Sequence, residues 1–305
     1  MKLLSFAYSS EAGETSHTSS SRDALLTVAR TGILVGDEVL DLTSLEEPLP
    51  GDMIELLATG GEALSAAFRE ATDKARRANL AEVRVLAPVP RPGKFLGIGL
   101  NYASHVAEQN IARPADQLWF NKQVTCVIGD KEAIEIPRVS SMVDYEGELA
   151  FVIGTRCRHV MADEAPRVIA GYTIVNDVSV RDWQWRTPTM TMGKSFDTHG
   201  PMGPWIVTPD ELGDPHDLSL RTWVNNDLRQ DANTSEMIFN CYEMVEHLST
   251  AFTLEPGDVI TTGTPAGVGM GRKPPAYLVA GDEVKIAIEG IGTLTNPVVQ
   301  ERPWN

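Results

Sequence analysis

The stretch that most constrains the fold is Asp144-Tyr145-Glu146-Gly147-Glu148, which runs straight into Leu149-Ala150-Phe151-Val152-Ile153-Gly154. The apolar run is short, ends at a glycine and is rich in residues that suit a pleated surface, so it reads as a buried strand. Side chains two apart on a strand share a face, which puts Glu146 and Glu148 together. Two carboxylates leading into a core strand cannot both stay ionised there without a counter-charge. A bound cation is the simplest one. A frayed strand end, with its glutamates in water or paired with Lys and Arg, is the plain alternative.

The chain has 305 residues, enough for one large domain or two of ordinary size. Its formal net charge of −16 argues against nucleic acid or an anionic membrane as partner. Cys126, Cys157 and Cys241 are far apart and form no C-x-x-C, so neither a thiolate zinc site nor a disulfide framework is supported. The opening residues lack the apolar core of a signal peptide, and no apolar stretch approaches the roughly 20 residues of a membrane span. A cytoplasmic location is expected.

Strand-like pieces at residues 3–8, 25–31 and 33–42 are joined by a polar stretch, 9–23, that reads as an exposed loop. Residues 51–58 and 62–78 carry helical periodicity. Pro88, Pro90 and Pro92 remove backbone donors and favour extended chain, which sets a boundary between a small N-terminal α/β domain, 1–82, and a catalytic domain, 83–305. The first unit holds no cluster of potential ligands and is assigned a structural or assembly role. Beyond it, short strand candidates recur at 95–99, 148–153, 170–175, 205–207, 220–224, 259–262, 283–288 and 294–299, with helices at 102–108 and 234–250. Residues 199–204 read as turn. Many short strands and few helices predict a β-rich α+β fold, a barrel or roll with helices packed outside.

Several patterns carry chemistry. Asp177 stands at the carboxyl end of a strand, and Arg181 and Gln184 follow at spacings that share one face of a helical turn. Such a group suits a small anionic ligand beside a metal; a helix N-cap aspartate with an Asp177–Arg181 pair is the alternative. Lys194, in Gly193-Lys194-Ser195-Phe196-Asp197, is a candidate anion binder, while Ser195 lacks the surroundings of a nucleophile. His105 and Glu108, three apart on a short helix, can form a dyad in which the carboxylate holds the imidazole ready to accept a proton. The glycine-rich run 261–273 fails the phosphate-loop pattern, although Thr264 and its neighbouring amides can approach a ligand oxygen. Taken singly, each pattern is equally a surface feature: a solvated lysine, an exposed His–Glu pair, a connecting loop.

Their order and spacing are more specific. Asn-Tyr-x-x-His-x-x-Glu (101–108), Glu-x-Glu before a hydrophobic strand, Asn-Asp-x-x-x-Arg-Asp-x-Gln (176–184), Gly-Lys-Ser-Phe-Asp (193–197), Val224-Asn225-Asn226-Asp227 and Thr-Gly-Thr-Pro-x-Gly-Val-Gly (262–269) resemble the fumarylacetoacetate hydrolase family, in its small acylpyruvase- and isomerase-like branch. The resemblance covers residues 83–300 and is thin before them.

It implies a mixed β-sandwich roll, usually a homodimer, with one Mg²⁺ or Mn²⁺ held by Glu146, Glu148 and Asp177. It further implies that Arg181, Gln184, Lys194 and Thr264 bind a small 2-oxo acid, that Lys194 stabilises developing charge, and that His105 and Glu108 activate water. The expected activity is hydrolysis of a C–C bond in a 2,4-dioxo acid of acylpyruvate type, through a metal-stabilised enolate, releasing pyruvate or a related 2-oxo acid from aromatic or sugar catabolism. Isomerisation or hydration of an unsaturated 2-oxo dioate and decarboxylation of oxaloacetate are the alternatives on the same site. A binding protein with a structural cation is the non-enzymatic one. Asp144 falls outside the implied ligand set. Trp183, Trp185 and Arg186 flank the matched positions as candidate pocket walls, and the 110–136 insert has no assigned role.

Overall fold

The computed structural model describes residues 1–11 and 24–303. Most of the expected loop 9–23 therefore lies outside the described residues.

The apolar run forms the strand Gly147–Ile153, buried along its whole length. Leu149, Phe151 and Ile153 belong to one core and Ala150 and Val152 to another. A strand covered on both faces shows a continuous apolar run instead of an alternating one. It pairs antiparallel with Ile169–Asn176 and with Val259–Thr261. On one side the sheet continues through Gly200–Val207 to Lys2–Tyr8, Arg30–Val35, Glu38–Asp41 and Arg76–Asn79. On the other it continues through Phe95–Gly99 to Leu118–Asn121. Lys2 pairs with Val207, so the sheet runs unbroken from the N-terminal segment into the strands that carry the site.

Helices Met53–Ala58 and Gly61–Lys74 cover one face of this sheet, and Leu56, Leu57 and Leu64 share a core with Ala150, Val152 and Val175. A second sheet of five strands, Asp227–Asn233, Ser219–Val224, Glu283–Ile288, Gly292–Gln300 and Ile134–Ile136, covers the other. Leu220, Ile286 and Leu294 meet Leu149 and Phe151 there, with Met244 and Leu248 of the helix Cys241–Ala251. The result is a β-rich roll with helices outside, as the sequence leads one to expect. Gly147 marks a close approach of the two sheets: a Cβ at this position would stand 2.2 Å from Thr222 Oγ1. The glycine between the two glutamates is thus a packing requirement.

Several elements differ from expectation. Residues 24–27 are helical, and the strand expected at 25–31 begins only at Arg30. The helix expected to reach residue 78 ends at Lys74, and Arg76–Asn79 becomes an edge strand on Glu38–Asp41. Arg77 Nη1 lies 2.7 Å from Glu38 Oε2 across that edge, so opposite charges favour pairing over another helical turn. The helix expected over 234–250 splits into a 3-10 turn, Thr234–Glu236, and the helix Cys241–Ala251. Asn240 causes the break, because its side chain accepts from the Tyr242 and Glu243 amides and starts a new helix. Residues 200–204, rich in turn signals, lie in the strand Gly200–Val207. The 110–136 insert supplies the strands Leu118–Asn121, Val127–Ile128 and Ile134–Ile136.

Candidate active site

Strand register assembles the site. Gly147 pairs with Asn176, which brings Glu146 against Asp177, and the Asp177 amide donates to the Glu146 carbonyl at 2.9 Å. Glu146, Glu148 and Asp177 each offer a carboxylate oxygen, all within 4.8 Å of one another and all on buried residues. Three side chains expected to meet do meet. Asn176 Oδ1 accepts from the Glu146 amide at 3.0 Å, and the Gly263 amide donates to Glu148 Oε2 at 2.9 Å.

The counter-charges are unequal. Lys194 Nζ lies 2.6 Å from Glu146 Oε2 and 2.6 Å from Asp177 Oδ2. Arg181 Nη1 lies 2.7 Å from Glu146 Oε1, and Lys122 Nζ lies 2.7 Å from Asp177 Oδ1. Burial pushes the Glu146 carboxyl up, but the Lys194 and Arg181 charges together outweigh it and hold it well below the usual carboxylate range. Burial also opposes the charge on Lys194, and Asp177 and Glu146 raise its affinity for the proton regardless. Among the described residues no ion pair reaches Glu148. Burial, then Asp177 and Glu146, push its carboxyl well above the ordinary value. Glu148 is thus the least compensated carboxylate of the trio, with the Gly263 amide and the Lys194 charge opposing burial only in part. An all-oxygen donor set with an unbalanced negative charge fits a hard divalent cation such as Mg²⁺ or Mn²⁺.

Arg181 and Gln184 reach the site by a different path from the expected helical face. Ser179–Val180 pairs with Val143–Asp144 as a small ladder, and only Arg181–Gln184 is helical. Asp177 is not a helix cap, and Arg181 turns to Asp144 and Glu146 instead. Gln184 Oε1 accepts from Arg181 Nη1 at 2.9 Å. Asp144, left outside the expected set, is fully buried. Its Oδ1 accepts from the Gly269 amide at 2.7 Å, and its Oδ2 from the Met270 amide at 2.9 Å.

The dyad forms as expected, with His105 Nδ1 3.1 Å from Glu108 Oε2. Glu108 is fixed in turn, since its Oε1 accepts from the Gly267 amide at 2.9 Å. A Cβ on Gly267 would stand 2.0 Å from the Arg229 carbonyl, and its φ of +109° also demands glycine. The Thr264 hydroxyl donates to the Gly147 carbonyl at 3.0 Å and accepts from Gln230 Nε2 at 2.8 Å, which braces the loop against the strand.

Of these groups, His105, Glu146, Glu148, Arg181, Gln184, Lys194 and Thr264 line one cavity of ≈ 520 Å³. Its remaining wall is largely apolar, with Ile98, Leu118, Phe120, Trp185, Met190 and Met270. Residues 94–299 match the family model described as fumarylacetoacetate (FAA) hydrolase C-terminal. The chain belongs to the fumarylacetoacetate hydrolase family.

A rat (Rattus norvegicus) family member, oxaloacetate tautomerase Fahd2a, mitochondrial, is 41% identical over 266 residues, spanning 87% of this chain and 85% of the relative. Maleylpyruvate hydrolase from Sphingobium sp. SYK-6, solved with manganese(II) and pyruvate, superposes with a TM-score of 0.79 at 31% identity, covering 99% of this chain and 100% of that one. The 2-hydroxyhepta-2,4-diene-1,7-dioate isomerase of Mycobacterium marinum superposes with a TM-score of 0.75 at 35% identity, again covering 99% and 100%. This chain is an enzyme of the family, whose named members differ in reaction type. No helix among the described residues is long and apolar enough to cross a membrane.

Two residues that hold the candidate site's charged groups were given no role by the sequence reading. Asp144 shares the alternation of Glu146 and Glu148, which was the available signal. Lys122 follows a strand inside the unassigned insert, is 3% exposed and also donates to the Lys194 carbonyl. Nothing local to its sequence marks it.

Proposed function

We propose that this enzyme moves a proton at the carbon beside the keto group of a small 2-oxo acid, as a tautomerase of oxaloacetate-type substrates that depends on Mg²⁺ or Mn²⁺ held by Glu146, Glu148 and Asp177. The observation that carries this reading is that His105, held by Glu108, opens on the same cavity as Glu146, Glu148 and the Lys194 and Arg181 cations. With Nδ1–H donated to Glu108, His105 keeps Nε2 as an acceptor, the form a general base requires. His105 then takes the C–H proton and returns it to oxygen, or runs the reverse. Lys194 and Arg181 offset the negative charge that gathers on oxygen during the transfer. Bound at the trio, the cation would supply Lewis acidity toward the substrate's carboxylate and keto oxygens. The rat relative's name supports this choice.

The cavity favours a second reading. At ≈ 520 Å³ with a largely apolar wall, it has room for an acyl group and a water, which suits hydrolysis of an acylpyruvate with His105 activating that water. One assay separates the two. Enol-oxaloacetate and acetylpyruvate are offered with Mg²⁺, following loss of the enol absorbance and release of pyruvate. Enol loss well above the buffer rate, abolished by His105→Gln, supports the tautomerase. Rapid pyruvate release from acetylpyruvate with no effect on the enol selects the hydrolase, and inactivity on both contradicts the 2-oxo acid reading itself.

A further inference from the structure

The cavity carries a third cation, on a more exposed side chain than the other two. At its inner end Arg181 and Lys194 are already engaged by Asp144, Glu146 and Asp177. Arg186 lines the same cavity beside Trp185, with its side chain 51% exposed. Its nearest carboxylate is Asp182, whose Oδ2 lies 3.7 Å from Nη2, beyond hydrogen-bond range. The other oxygen of Asp182 already accepts from Ser140 Oγ at 2.5 Å. The fork of Arg186 therefore keeps donors that no described side chain takes up.

That fork is held in place all the same. The guanidinium lies over the Trp183 ring, 3.8 Å from its centroid. Trp183 is itself packed edge-on against Phe196, with centroids 5.2 Å apart and planes at 86°. Stacking on a fixed aromatic face orients the planar cation without satisfying its in-plane donors. An oriented fork with free donors matches a carboxylate, and little side-chain entropy remains to be lost on binding. Away from the inner end, Arg186 is the one Lys or Arg among the residues that line the cavity. Elsewhere along the more exposed wall a second negative charge on the substrate would meet mostly apolar side chains, with only the uncharged Gln109 and Thr187 as polar ones.

We propose that Arg186 is a specificity-determining residue that binds a distal carboxylate, making 2-oxo dicarboxylic acids the preferred substrate class. The proposal rests on the reading that the inner end takes a 2-oxo acid. Its test is calorimetric titration of the Mg²⁺-loaded enzyme with 2-oxoglutarate and with 2-oxopentanoate, which share the 2-oxo acid head and chain length and differ in the far carboxylate. Wild-type enzyme is expected to bind the dioate about tenfold more tightly, as one charge-assisted pair near water allows. Arg186→Gln should bring the ratio of the two affinities toward one, and Arg186→Lys, which keeps the charge and loses the fork, should leave it intermediate. Equal affinities in the wild type, or a ratio untouched by Arg186→Gln, overturn the role of Arg186 while leaving the 2-oxo acid site standing. Failure to bind either acid contradicts the site reading and this proposal with it.

Discussion

Arg181 rests on a single oxygen of Asp144, with Nε at 2.9 Å and Nη2 at 2.8 Å from Oδ2. Both residues are buried, so neither charge can turn to water. The same aspartate holds the Gly269 and Met270 amides of the glycine-rich loop. Asp144 thus ties the cavity-lining guanidinium to the loop that follows Thr264. Asp144→Asn should lower stability by about 3 kcal/mol, because it leaves a buried guanidinium short of charge. Chemical denaturation in EDTA measures this, and a change below about 0.5 kcal/mol, the usual range for surface substitutions, would make the pair incidental.

Lys194 and a divalent cation act on the same negative charge. In Lys194→Met, Glu146 and Asp177 lose a shared ammonium and keep only Arg181 and Lys122. Without metal the variant should lose about 3–5 kcal/mol. Mg²⁺ at a hundred times its dissociation constant returns about 2.7 kcal/mol to any native state that binds it. At one fixed Mg²⁺ concentration the variant, relieved of the competing ammonium, should bind the ion more tightly, so denaturation midpoints with EDTA and with Mg²⁺ should show a larger metal-induced gain in the variant than in the wild type. A smaller gain would mean that Lys194 helps to form the cation site instead of sharing its charge load.

His199, which also feels the charge of the Lys122 paired with Asp177, sets a pH dependence of its own. Burial, opposed in part by the Glu135 carbonyl at 2.8 Å, pushes its imidazole from 6.5 down to about 3. The unfolded chain takes up this proton near 6.5, whereas the folded chain resists it until about 3. The contribution is therefore complete above 6.5 and is lost as pH falls toward 3. Between about pH 7 and about pH 4.5 the wild type should lose about 2.5 kcal/mol that His199→Gln does not lose. Parallel stability curves for the two proteins would refute the assignment.

His105 and Glu108 have separable duties. His105→Gln should slow turnover by about 10²–10⁴ with cation binding retained, the usual range for a general base. Glu108→Gln should cost less, because His105 remains and only its orientation suffers. Equal losses in both variants would argue that Glu108 itself carries the proton.

The sequence made the catalytic core legible because its signals are local. Glu146 and Glu148 share a face by strand alternation, and His105 and Glu108 meet by helical spacing. Burial of the central strand on both faces follows from its apolar run. What stayed hidden depends on distant contacts. Lys122 reaches Asp177 across 55 positions, and Asp144 reaches Met270 across 126. The spacing of Asp177, Arg181 and Gln184 fits one helical turn, but pairing of Ser179–Val180 with Val143–Asp144 delays the helix until Arg181. Strand Gly200–Val207 carries turn residues, yet neighbours on both sides hold it in the sheet.

Glu148 is the one carboxylate of the trio that no ion pair reaches among the described residues. Mn²⁺ titration followed by the paramagnetic resonance of the free ion measures binding directly, on the wild type and on Glu148→Gln. The wild type should take up one ion per chain, and the variant, isosteric but uncharged, should bind at least about a hundredfold more weakly and lose turnover while remaining folded. Unchanged Mn²⁺ affinity in Glu148→Gln, with activity intact, would contradict a cation site at Glu146, Glu148 and Asp177.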